Sequence, residues 1–510
     1  MSSTVKRVNI GMATCGIAMG ADKVFDIFKQ LTPPEVTIHK VGCLGFCPHE
    51  PIVDVVSEDG TIVRYQKIDE VKAKEIIEQH LKNNQPIVSY LFQESFDILE
   101  KQTRVVFRNA GLIDPEKIED YQTRGGYEGL KKALEMDPDD IINEIQQSEL
   151  RGAGGAGFPT GLKWTFTRRE QAKDKYMICN ANEGDPGVYI DRLIMESDPH
   201  SVIEGMIIGA YATGCNHGVI YIRMEYPLAY ERLNIATKQA RFRRFLGKRI
   251  LGKPFDFDIQ IKRGAGAFIV GEETALMASI MGKRGHPRTK PPFPGQSGLF
   301  EKPSNINNVK TLANVPWIIS QGWQAFHSIG LSTGRGTSMF CLSGDIKEKG
   351  MIEVPMGTSL REIVYDYAKG MSTDKPFKAA QVDGPTGEFL PESHLDVSVH
   401  SGGIVVLDTH HSMVKLARFF LEYSQKESCG KCVPCRIGTR AMLVILDKLL
   451  NGIGQQKDLQ LLEELANTVS KASLCGLGQT APKPIQTTLK YFRDEYMSLV
   501  STNKFRVEVV

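Results

Sequence analysis

The sequence has almost no net charge, because 62 Lys and Arg residues balance 60 Asp and Glu residues and leave a formal charge of +2. It therefore lacks the broad positive field that binds nucleic acids or anionic membranes, and we expect neither as a partner. A long apolar run is also missing, since the longest uncharged stretch, residues 205–222, includes four glycines and a histidine. The first residues lack the apolar core of an export signal, so the expected location is cytoplasmic.

The length of 510 residues exceeds one ordinary core and indicates several domains. No repeat or low-complexity tract is visible. Apolar periodicity predicts a multidomain α/β protein with a terminal strand at 505–510. Its expected segments are a small α/β unit with a mixed sheet at 1–90, a helical connector at 91–150, a larger α/β domain with glycine-rich loops at 151–335, a β-grasp-like insert at 336–400, and a helical bundle at 401–510.

The cysteines are unevenly placed, and in a reducing compartment clustered thiols more often bind metal than form disulfides. A C-x2-C-x2-C run with a remote fourth cysteine is typical of a 4Fe-4S cluster. Structural zinc is the alternative, although zinc sites more usually contain two separated pairs. The four predicted cluster ligands are Cys429, Cys432, Cys435 and Cys475, whereas Cys179, Cys215 and Cys341 lie in apolar stretches and are expected to be buried.

A second group of thiols, Cys15, Cys43 and Cys47, occurs near the start of the chain. Two ligands from one loop and one from another fall one short of a four-cysteine site. One hypothesis is a 2Fe-2S cluster with His49, another partner or solvent as the fourth ligand. The alternative is an empty vestige of such a site.

The segment RGAGGAGFPTGLKW at 151–164 contains glycines in a G-x-G-x-x-G pattern. The preceding segment is helical in pattern and no acid follows at the expected distance, so this is not an ordinary Rossmann motif. Backbone without side chains still lets N–H groups approach a phosphate or a flat ring, and Lys163 adds a positive charge. A tight structural turn is the alternative interpretation.

Two further loops, at 180–186 and 264–274, place carboxylates just after apolar strands, where they could bind ribose hydroxyls. Each loop alone is more typical of a solvated connection. Together with the glycine loop, they favour a ligand site. The cationic, proline-rich residues 283–294 suit a pocket wall that faces a dinucleotide.

Several sequence blocks occur in order along the chain: RGAGGAGFPTGLKW, CNANEGDPG, GAGAFIVGEETAL, KPPFPGQSGLF, INNV, and ESCGKCVPC with SLCGLG. With these blocks, residues from about 115 to 500 resemble the NADH-binding flavoprotein subunit of respiratory complex I and its relatives in NAD-linked hydrogenases and formate dehydrogenases. Residues 1–90 are similar to the thioredoxin-like 2Fe-2S domain of electron-bifurcating hydrogenase beta subunits, and 336–400 resembles an SLBB-type β-grasp domain. The resemblance implies a Rossmann-like FMN and NAD(H) domain at 151–335 and a 4Fe-4S cluster in the 401–510 bundle.

The resemblance implies an oxidoreductase in which NADH or NADPH exchanges hydride with FMN and the clusters carry single electrons, with no side-chain acid or base. The residues implied for FMN are Gly152, Gly154, Gly155, Lys163, Asn180, Asn182, Glu183, Gly271, Glu272, Glu273, Asn307 and Asn308. Those implied for the dinucleotide are Phe158, Phe166, Asp185, Lys290 and Phe293. The choice between NAD and NADP stays open.

Three departures from the family pattern bear on partners. Ala153 replaces a frequent Arg, Gly184-Asp185 looks like the bifurcating branch, and no two-cluster ferredoxin tail follows within the 510 residues. The expected partners are a small thioredoxin-like 2Fe-2S subunit, a larger cluster-bearing catalytic subunit, and ferredoxin as a further candidate. The competing hypothesis is a non-catalytic iron–sulfur scaffold that has lost flavin, which the intact Lys163, Glu183, Glu272 and Glu273 oppose.

Overall fold

The structure is a computed structural model that describes residues 5–331 and 334–501, so the predicted strand at 505–510 lies outside the described residues. The N-terminal unit contains the expected mixed sheet, in the order β2-β1-β3-β4, with β1 parallel to β2 and antiparallel to β3. Apolar residues at helical spacing on α2 pack on this sheet. The elements are β1 Val5–Gly11, α1 Thr14–Ala18, α2 Ala21–Leu31, β2 Thr37–Val41, β3 Val53–Ser57, β4 Ile62–Tyr65 and α3 Glu70–Ile76, which continues as a π-helical turn, Ile77–Lys82.

Residues 91–150 contain four short helices and pack against the domain that follows. The side chain of Asp137 caps α7 by accepting a hydrogen bond from the Asp139 amide at 2.9 Å. The amides of Val105, Val106 and Phe107 donate to the Glu353 carboxylate at 2.9–3.0 Å, which ties the connector to the later insert. The helices are α4 Glu94–Lys101, α5 Ile118–Thr123, α6 Glu128–Ala133 and α7 Pro138–Gln147.

A four-stranded parallel sheet in the order β7-β6-β5-β8 forms the centre of the next domain. Strands β5 and β6 are nearly all apolar, as expected for a parallel sheet covered on both faces. Its elements are α8 Thr160–Arg169, β5 Tyr176–Ala181, α9 Ile190–Ser197, α10 Pro199–Thr213, β6 His217–Arg223, α11 Pro227–Phe242, β7 Asp258–Gly264, α12 Glu273–Ile280, β8 Ser304–Asn308, α13 Val309–Gln321 and α14 Trp323–His327.

The insert is a five-stranded sheet in the order β10-β9-β13-β11-β12. The predicted boundary at residue 400 divides this sheet, because β13 lies parallel to β9 and antiparallel to β11. The sheet therefore ends at Asp408. Its elements are β9 Thr337–Gly344, β10 Gly350–Pro355, α15 Leu360–Glu362 with a π-helical turn Ile363–Tyr367, β11 Phe377–Val382, β12 Phe389–Pro391 and β13 Gly402–Asp408.

The remaining described residues are helical and share one apolar core, which includes Leu421, Leu446, Leu462 and Leu489. Near the end of the described residues, Phe492 separates two helices. Within residues 5–331 and 334–501, no helix combines the length and apolar character needed to span a membrane. The helices are α16 Met413–Lys426, α17 Thr439–Leu450, α18 Gln456–Ala472, α19 Gly476–Thr480, α20 Lys483–Tyr491 and α21 Arg493–Ser498.

Candidate functional site

The parallel sheet has a topological switch point between β5 and β8, because the chain moves from β5 to β6 and β7 on one side and then returns to β8 on the other. Ligands of open parallel sheets bind beyond the carboxyl ends of the strands at such a point. Asn180 and Asn182 lie at the end of β5, and Asn307 and Asn308 at the end of β8. Both predicted asparagine pairs therefore meet at the switch point.

The glycine loop connects α7 to α8 and folds back on itself, since the Gly152 amide donates to the Phe158 carbonyl at 2.9 Å. Its glycines are not required by internal packing. A Cβ on Gly154 would come no closer than 3.7 Å to another atom, and one on Gly155 would meet nothing within 4 Å. By contrast, a Cβ on Gly161 would lie 2.5 Å from the Gln146 side chain. The bare backbone at Gly154 and Gly155 thus faces open space that a ligand can occupy.

Two lysines and two glutamates form a charged group beside this loop. Lys163 on α8 lies 3.5 Å from the Glu273 carboxylate, and Lys290 pairs with both Glu273 and Glu272. Burial lowers the pKa of Lys163 although Glu273 opposes the shift. Burial also opposes ionisation of Glu273, but Lys163 and Lys290 outweigh it and lower the pKa of that carboxyl. Glu272 caps α12 through the amides of Thr274 and Ala275, so its position is fixed.

The loop 264–272 is held against β5 by the two predicted asparagines. Asn180 donates to the Gly271 carbonyl at 2.9 Å, and Asn182 donates to the Ala267 carbonyl at 3.1 Å. Oδ1 of Asn182 is buried and accepts no hydrogen bond from the described residues. Burying such an oxygen without a partner is costly, so it is a candidate to accept a hydrogen bond from a ligand.

The β8 asparagines contribute in different ways. Asn307 is buried and accepts from the Trp164 indole N–H at 3.4 Å, which makes it a support for α8. Asn308 caps α13 by accepting from the Lys310 amide, and it donates to Asp191 at 2.6 Å. Its Cβ is also the atom that a side chain on Gly154 would meet first. Asn308 therefore lies between the glycine loop and a buried acid.

Several carboxylates lie close together in the residues that follow β5. Glu183 is buried and accepts hydrogen bonds from the amides of Asp191 and Arg192 at the start of α9. Burial, then the nearby Glu183, raises the pKa of Asp185 to about 6 and that of Asp191 to about 7. Lys310 is the nearby cation that opposes both shifts. Asp185 also touches the insert, since a Cβ on Gly384 would lie 2.7 Å from its carboxyl carbon.

The aromatic residues predicted for the dinucleotide are exposed. Phe158, Phe166 and Phe293 have 44%, 46% and 55% of their surface accessible, and the rings of Phe158 and Phe166 are 6.5 Å apart. Large exposed aromatic surface beside a cleft marks a place where a flat ligand can stack. Lys290, three residues before Phe293 in the chain, pairs with Glu272 and Glu273.

The four C-terminal cysteines surround one place between α16 and α19. Cys435 lies in a π-helical turn, Pro434–Gly438, and Cys475 caps the start of α19. Cys429 and Cys435 both act electrostatically on Cys475, whose pKa is raised to about 11, chiefly by burial. No three of these four described sulfurs lie within 4.8 Å of one another. This wide spacing favours a multi-iron cluster over a single zinc ion, whose ligands crowd together.

The three N-terminal thiols are packed much more tightly. Their sulfurs all lie within 4.8 Å of one another, and those of Cys15 and Cys47 are 3.5 Å apart. Hydrogen bonds from the other two thiols lower the pKa of Cys47. His49 is not beside them, since its ring nitrogens contact Gln66 at 2.5 Å and Glu348 at 3.0 Å. The scattered Cys179, Cys215 and Cys341 are buried, as predicted.

Comparison with known proteins identifies the family to which the chain belongs. Residues 145–317 match the Nuo51 FMN-binding domain, and 415–499 match the NADH-ubiquinone oxidoreductase-F iron-sulfur binding region. The chain is 50% identical to the NADP-reducing hydrogenase subunit HndC of Solidesulfovibrio fructosivorans over 79% of this chain and 85% of that protein. It is 44% identical to the F subunit of NADH-quinone oxidoreductase from Aquifex aeolicus over 78% and 94% of the two chains. The chain belongs to the NADH-quinone oxidoreductase F family.

A solved NAD+-reducing [NiFe]-hydrogenase is similar in fold across 99% of this chain and 86% of its own, with a TM-score of 0.70 and 25% identity. As a member of the F family, the chain is an oxidoreductase flavoprotein subunit with FMN and a 4Fe-4S cluster as cofactors. The expected α/β architecture with a parallel sheet is confirmed.

The described residues fit both F-family cofactors. The open cradle at Gly154 and Gly155 and the orphaned Oδ1 of Asn182 suit a flat, phosphate-bearing ligand. The four widely spaced thiols supply the donors that a cubane cluster requires. A four-cysteine 2Fe-2S cluster, by contrast, does not fit the N-terminal donor set, which contains three thiols.

Several residues at the site were not found by sequence reasoning. Asp191, Arg192 and Lys310 all contact or act on the predicted acids, and Arg223 donates to the Glu183 carbonyl. Asp191 and Arg192 lie inside a helix with no motif around them. Lys310 could have been noticed, because it follows the INNV block directly at the start of α13.

Proposed function

We propose that the switch-point pocket binds FMN and a nicotinamide dinucleotide together, and that the electrons pass on to a cluster held by Cys429, Cys432, Cys435 and Cys475. The observation that carries the proposal is a contact between the two sites. The amide of Phe268, in the loop 264–272, donates to Oε2 of Glu427, which lies two residues before Cys429 in the chain, at 2.9 Å. When bound, FMN supplies the conversion between a two-electron hydride and single electrons.

Each part of the pocket has a separate task in this proposal. The amides of Gly154 and Gly155 and the Lys163 ammonium hold the phosphate end, and Gly152, whose amide donates to the Phe158 carbonyl, keeps the loop folded. Asn182 directs its unpaired oxygen to the ring system, and Asn180 keeps Gly271 close to it. Support comes from the other predicted residues, Glu183, Glu272, Glu273, Asn307 and Asn308, which fix the loops around the opening.

The dinucleotide is proposed to stack between the exposed aromatic rings of Phe158, Phe166 and Phe293. Hydride transfer requires the nicotinamide to lie flat against the flavin, and an aromatic wall excludes water from that contact. In this proposal Lys290 binds a phosphate of the dinucleotide, and Asp185 accepts a hydrogen bond from a ribose hydroxyl.

Electrons are proposed to leave through other iron–sulfur subunits of a cytoplasmic multi-subunit complex. Val433 and Ile437 flank the cluster ligands and expose 59% and 53% of their surface, and this apolar surface beside the cysteines supports a docking partner there. A small 2Fe-2S subunit, a larger catalytic subunit and ferredoxin are candidates. The Gly184-Asp185 sequence supports a place in an electron-bifurcating complex.

The finer domain assignment belongs to the same proposal. The mixed sheet supports a thioredoxin-like unit at 1–90, and the five-stranded sheet supports an SLBB-like β-grasp unit from 336. The parallel sheet supports a Rossmann-like FMN domain at 151–335, and the late helices support a cluster-binding bundle.

The test uses the full chain purified with its cofactors or reconstituted with FMN, iron and sulfide. We expect a flavin absorbance spectrum and reduction of a viologen dye by NADH or NADPH. A featureless flavin region would favour the non-catalytic scaffold, and bound flavin without dye reduction by either dinucleotide would overturn the proposal. Electron bifurcation would be shown by a further result: NADH or NADPH is oxidised only when a low-potential and a higher-potential acceptor are present together.

A further inference from the structure

Two thiols of the N-terminal unit lie almost within bonding distance of each other. The sulfurs of Cys15, Cys43 and Cys47 are all within 4.8 Å of one another, and those of Cys15 and Cys47 are 3.5 Å apart across 32 residues of chain. A disulfide has an S–S length of about 2.05 Å, so these two sulfurs need to approach by only about 1.5 Å. The fold therefore brings Cys15 and Cys47 to within a small side-chain movement of a covalent bond.

Exposure distinguishes this pair from the neighbouring thiol. Cys15 and Cys47 are partly exposed, whereas Cys43 beside them is completely buried. The three scattered cysteines of the chain are buried as well. A thiol exchanges with a disulfide from solution only where that reagent can reach the sulfur. Cys15 and Cys47 are therefore the two N-terminal thiols that a small disulfide can oxidise.

The groups around the pair assign a different task to each sulfur. The Cys15 thiol donates to Cys47 Sγ at 3.5 Å, and the Tyr189 hydroxyl lies 3.4 Å from the same sulfur. The Arg192 guanidinium lies 3.6 Å from Cys15 Sγ and adds a positive charge. The thiolate is the nucleophile in thiol–disulfide exchange, and hydrogen-bond donors and cations stabilise it. Cys47 is therefore the attacking sulfur, and Cys15 completes the bond.

The pair lies in the contact between the N-terminal unit and the FMN-binding domain, residues 145–317. Tyr189 and Arg192 belong to that domain, and the Arg192 amide donates to Glu183 Oε2 at 3.3 Å. Next to Cys15, the amide and hydroxyl of Thr14 donate to the Glu196 carboxylate at 2.9 and 2.5 Å. A change at the two sulfurs therefore acts directly on residues 189–192.

We propose that Cys15 and Cys47 form a thiol–disulfide exchange site that small disulfides oxidise reversibly, and that oxidation weakens the contact with the FMN-binding domain. The Cys47 thiolate attacks one sulfur of a small disulfide, RSSR, which forms a Cys47–S–S–R bond and releases RS⁻. The Cys15 sulfur then attacks Cys47 Sγ, which forms the Cys15–Cys47 bond and releases the second RS⁻. Overall, two electrons and two protons pass from the cysteine pair to RSSR and give two RSH.

Oxidation changes what the two sulfurs offer to the FMN-binding domain. A thiolate accepts charge-assisted hydrogen bonds, whereas a disulfide sulfur is neutral and accepts only weakly. The Tyr189 hydroxyl and the Arg192 guanidinium therefore each lose a partner when the disulfide forms. Neither step depends on which dinucleotide binds or on the path of the electrons.

The test uses the full chain, isolated without oxygen and with its flavin and 4Fe-4S cluster, and equilibrated with glutathione disulfide. Peptide mass spectrometry should find a Cys15–Cys47 crosslink that dithiothreitol removes, while iron stays at about four per chain. Cys15→Ser should stop at a glutathione adduct on Cys47. Cys215→Ser, which removes a buried thiol elsewhere, should form the crosslink as the wild type does. Amide hydrogen exchange at residues 189–192 should become at least about threefold faster in the oxidised chain.

Four results would overturn the proposal. One is a wild-type chain that stays unreacted, or carries only glutathione adducts, at a large excess of glutathione disulfide. Another is a crosslink that joins Cys43 to either neighbour. The third is additional iron, with a second electron paramagnetic resonance signal that Cys43→Ser removes, because the thiols would then hold a cluster. The fourth is unchanged hydrogen exchange at residues 189–192 after oxidation. The wild-type peptide map decides the pairing even if a variant fails to fold.

Discussion

The amide of Phe268 donates to Glu427 Oε2 at 2.9 Å, so the loop that follows β7 is tied to the residue that precedes the cysteine run. The Phe268 ring also meets Tyr423 edge to face, and the Tyr423 hydroxyl donates to the Gly184 carbonyl at 2.9 Å. Helix α16 and Glu427, which follows it, thus hold the loops 180–186 and 264–272 close to the cysteine segment 429–435. Electron transfer between the two cofactors depends on this spacing being kept.

Replacing Glu427 tests whether the tether sets that spacing. We expect Glu427→Ala to slow reduction of the cluster by about threefold to tenfold, because one hydrogen bond to a charged acceptor is lost. Flavin reduction by NADH should be unchanged. Rapid-mixing absorbance measurements separate the two steps. Glu427→Gln should restore most of the rate, because its amide oxygen can still accept. Equal slowing in Glu422→Ala, a partly exposed residue of the same helix that pairs with Arg418 and Lys426, would refute the tether.

The glycine cradle predicts a variant that loses flavin without losing stability. A Cβ on Gly154 would touch only Asn308, at 3.7 Å, so Gly154→Ala should fold normally. The methyl group would occupy ligand space, and we expect FMN affinity to fall at least about tenfold. Flavin fluorescence titration measures this. Gly161→Ala should behave oppositely, with a lower unfolding free energy caused by its clash with Gln146; unchanged FMN affinity in Gly154→Ala would place the flavin elsewhere.

Much of the fold could be predicted because periodicity is a local property. The strands and helices of residues 5–82 follow the apolar pattern closely. Strand β8, SNINN, was missed because most of its side chains are polar, and its burial comes from packing against β5 and α8. The sheet boundary at Asp408 was also missed, because β13 pairs with β9, about sixty residues earlier in the chain.

The site was predictable to the extent that its residues lie in contiguous glycine-rich or cysteine-rich segments. Asp191 has no such signal. It is a single acid in an ordinary segment, and its place in the site comes from long-range packing that brings it to Asn308. Sequence spacing cannot supply that information.

The acid at Asp185 predicts a pH dependence of stability. Burial raises its pKa to about 6, so the folded protein holds this proton more tightly than the unfolded chain does. The resulting stability is fully present below about pH 4 and is lost as the pH rises through about 6. Asp185→Asn should remove this loss and make the flavin-free protein more stable by about 2–3 kcal/mol at pH 7. Denaturant unfolding across this range measures the difference, and parallel pH profiles for the two proteins would contradict it.

The bundle should fold without its cluster, because its core of Leu421, Leu446, Leu462 and Leu489 is separate from the thiols. Cys432→Ser should therefore abolish the 4Fe-4S signal while helical content and bound flavin are retained. Iron analysis and circular dichroism measure the two properties. Cys179→Ser, at a buried position in β5, should keep the cluster; a full complement of iron in Cys432→Ser would remove Cys432 from the ligand set.

Phe293 provides the sharpest test of where the dinucleotide lies. Its ring is 55% exposed, although exposure of a phenylalanine is unfavourable in water. If the nicotinamide dinucleotide covers it, Phe293→Ala should raise the KM for NADH about tenfold, because stacking and apolar burial are both lost. The kcat should change little, since such a contact stabilises ground and transition states alike.

Phe300 is a matched control for that variant. It is 54% exposed, and its ring lies 6.0 Å from Tyr176, at the opposite end of β5 from Asn180. Phe300→Ala removes as much exposed aromatic surface without touching the proposed opening, so the KM for NADH should stay the same. An equal rise in both variants would show a general effect on the loop 291–303. A rise in Phe293→Ala alone, with FMN affinity unchanged, would place the dinucleotide over the flavin-side aromatic wall.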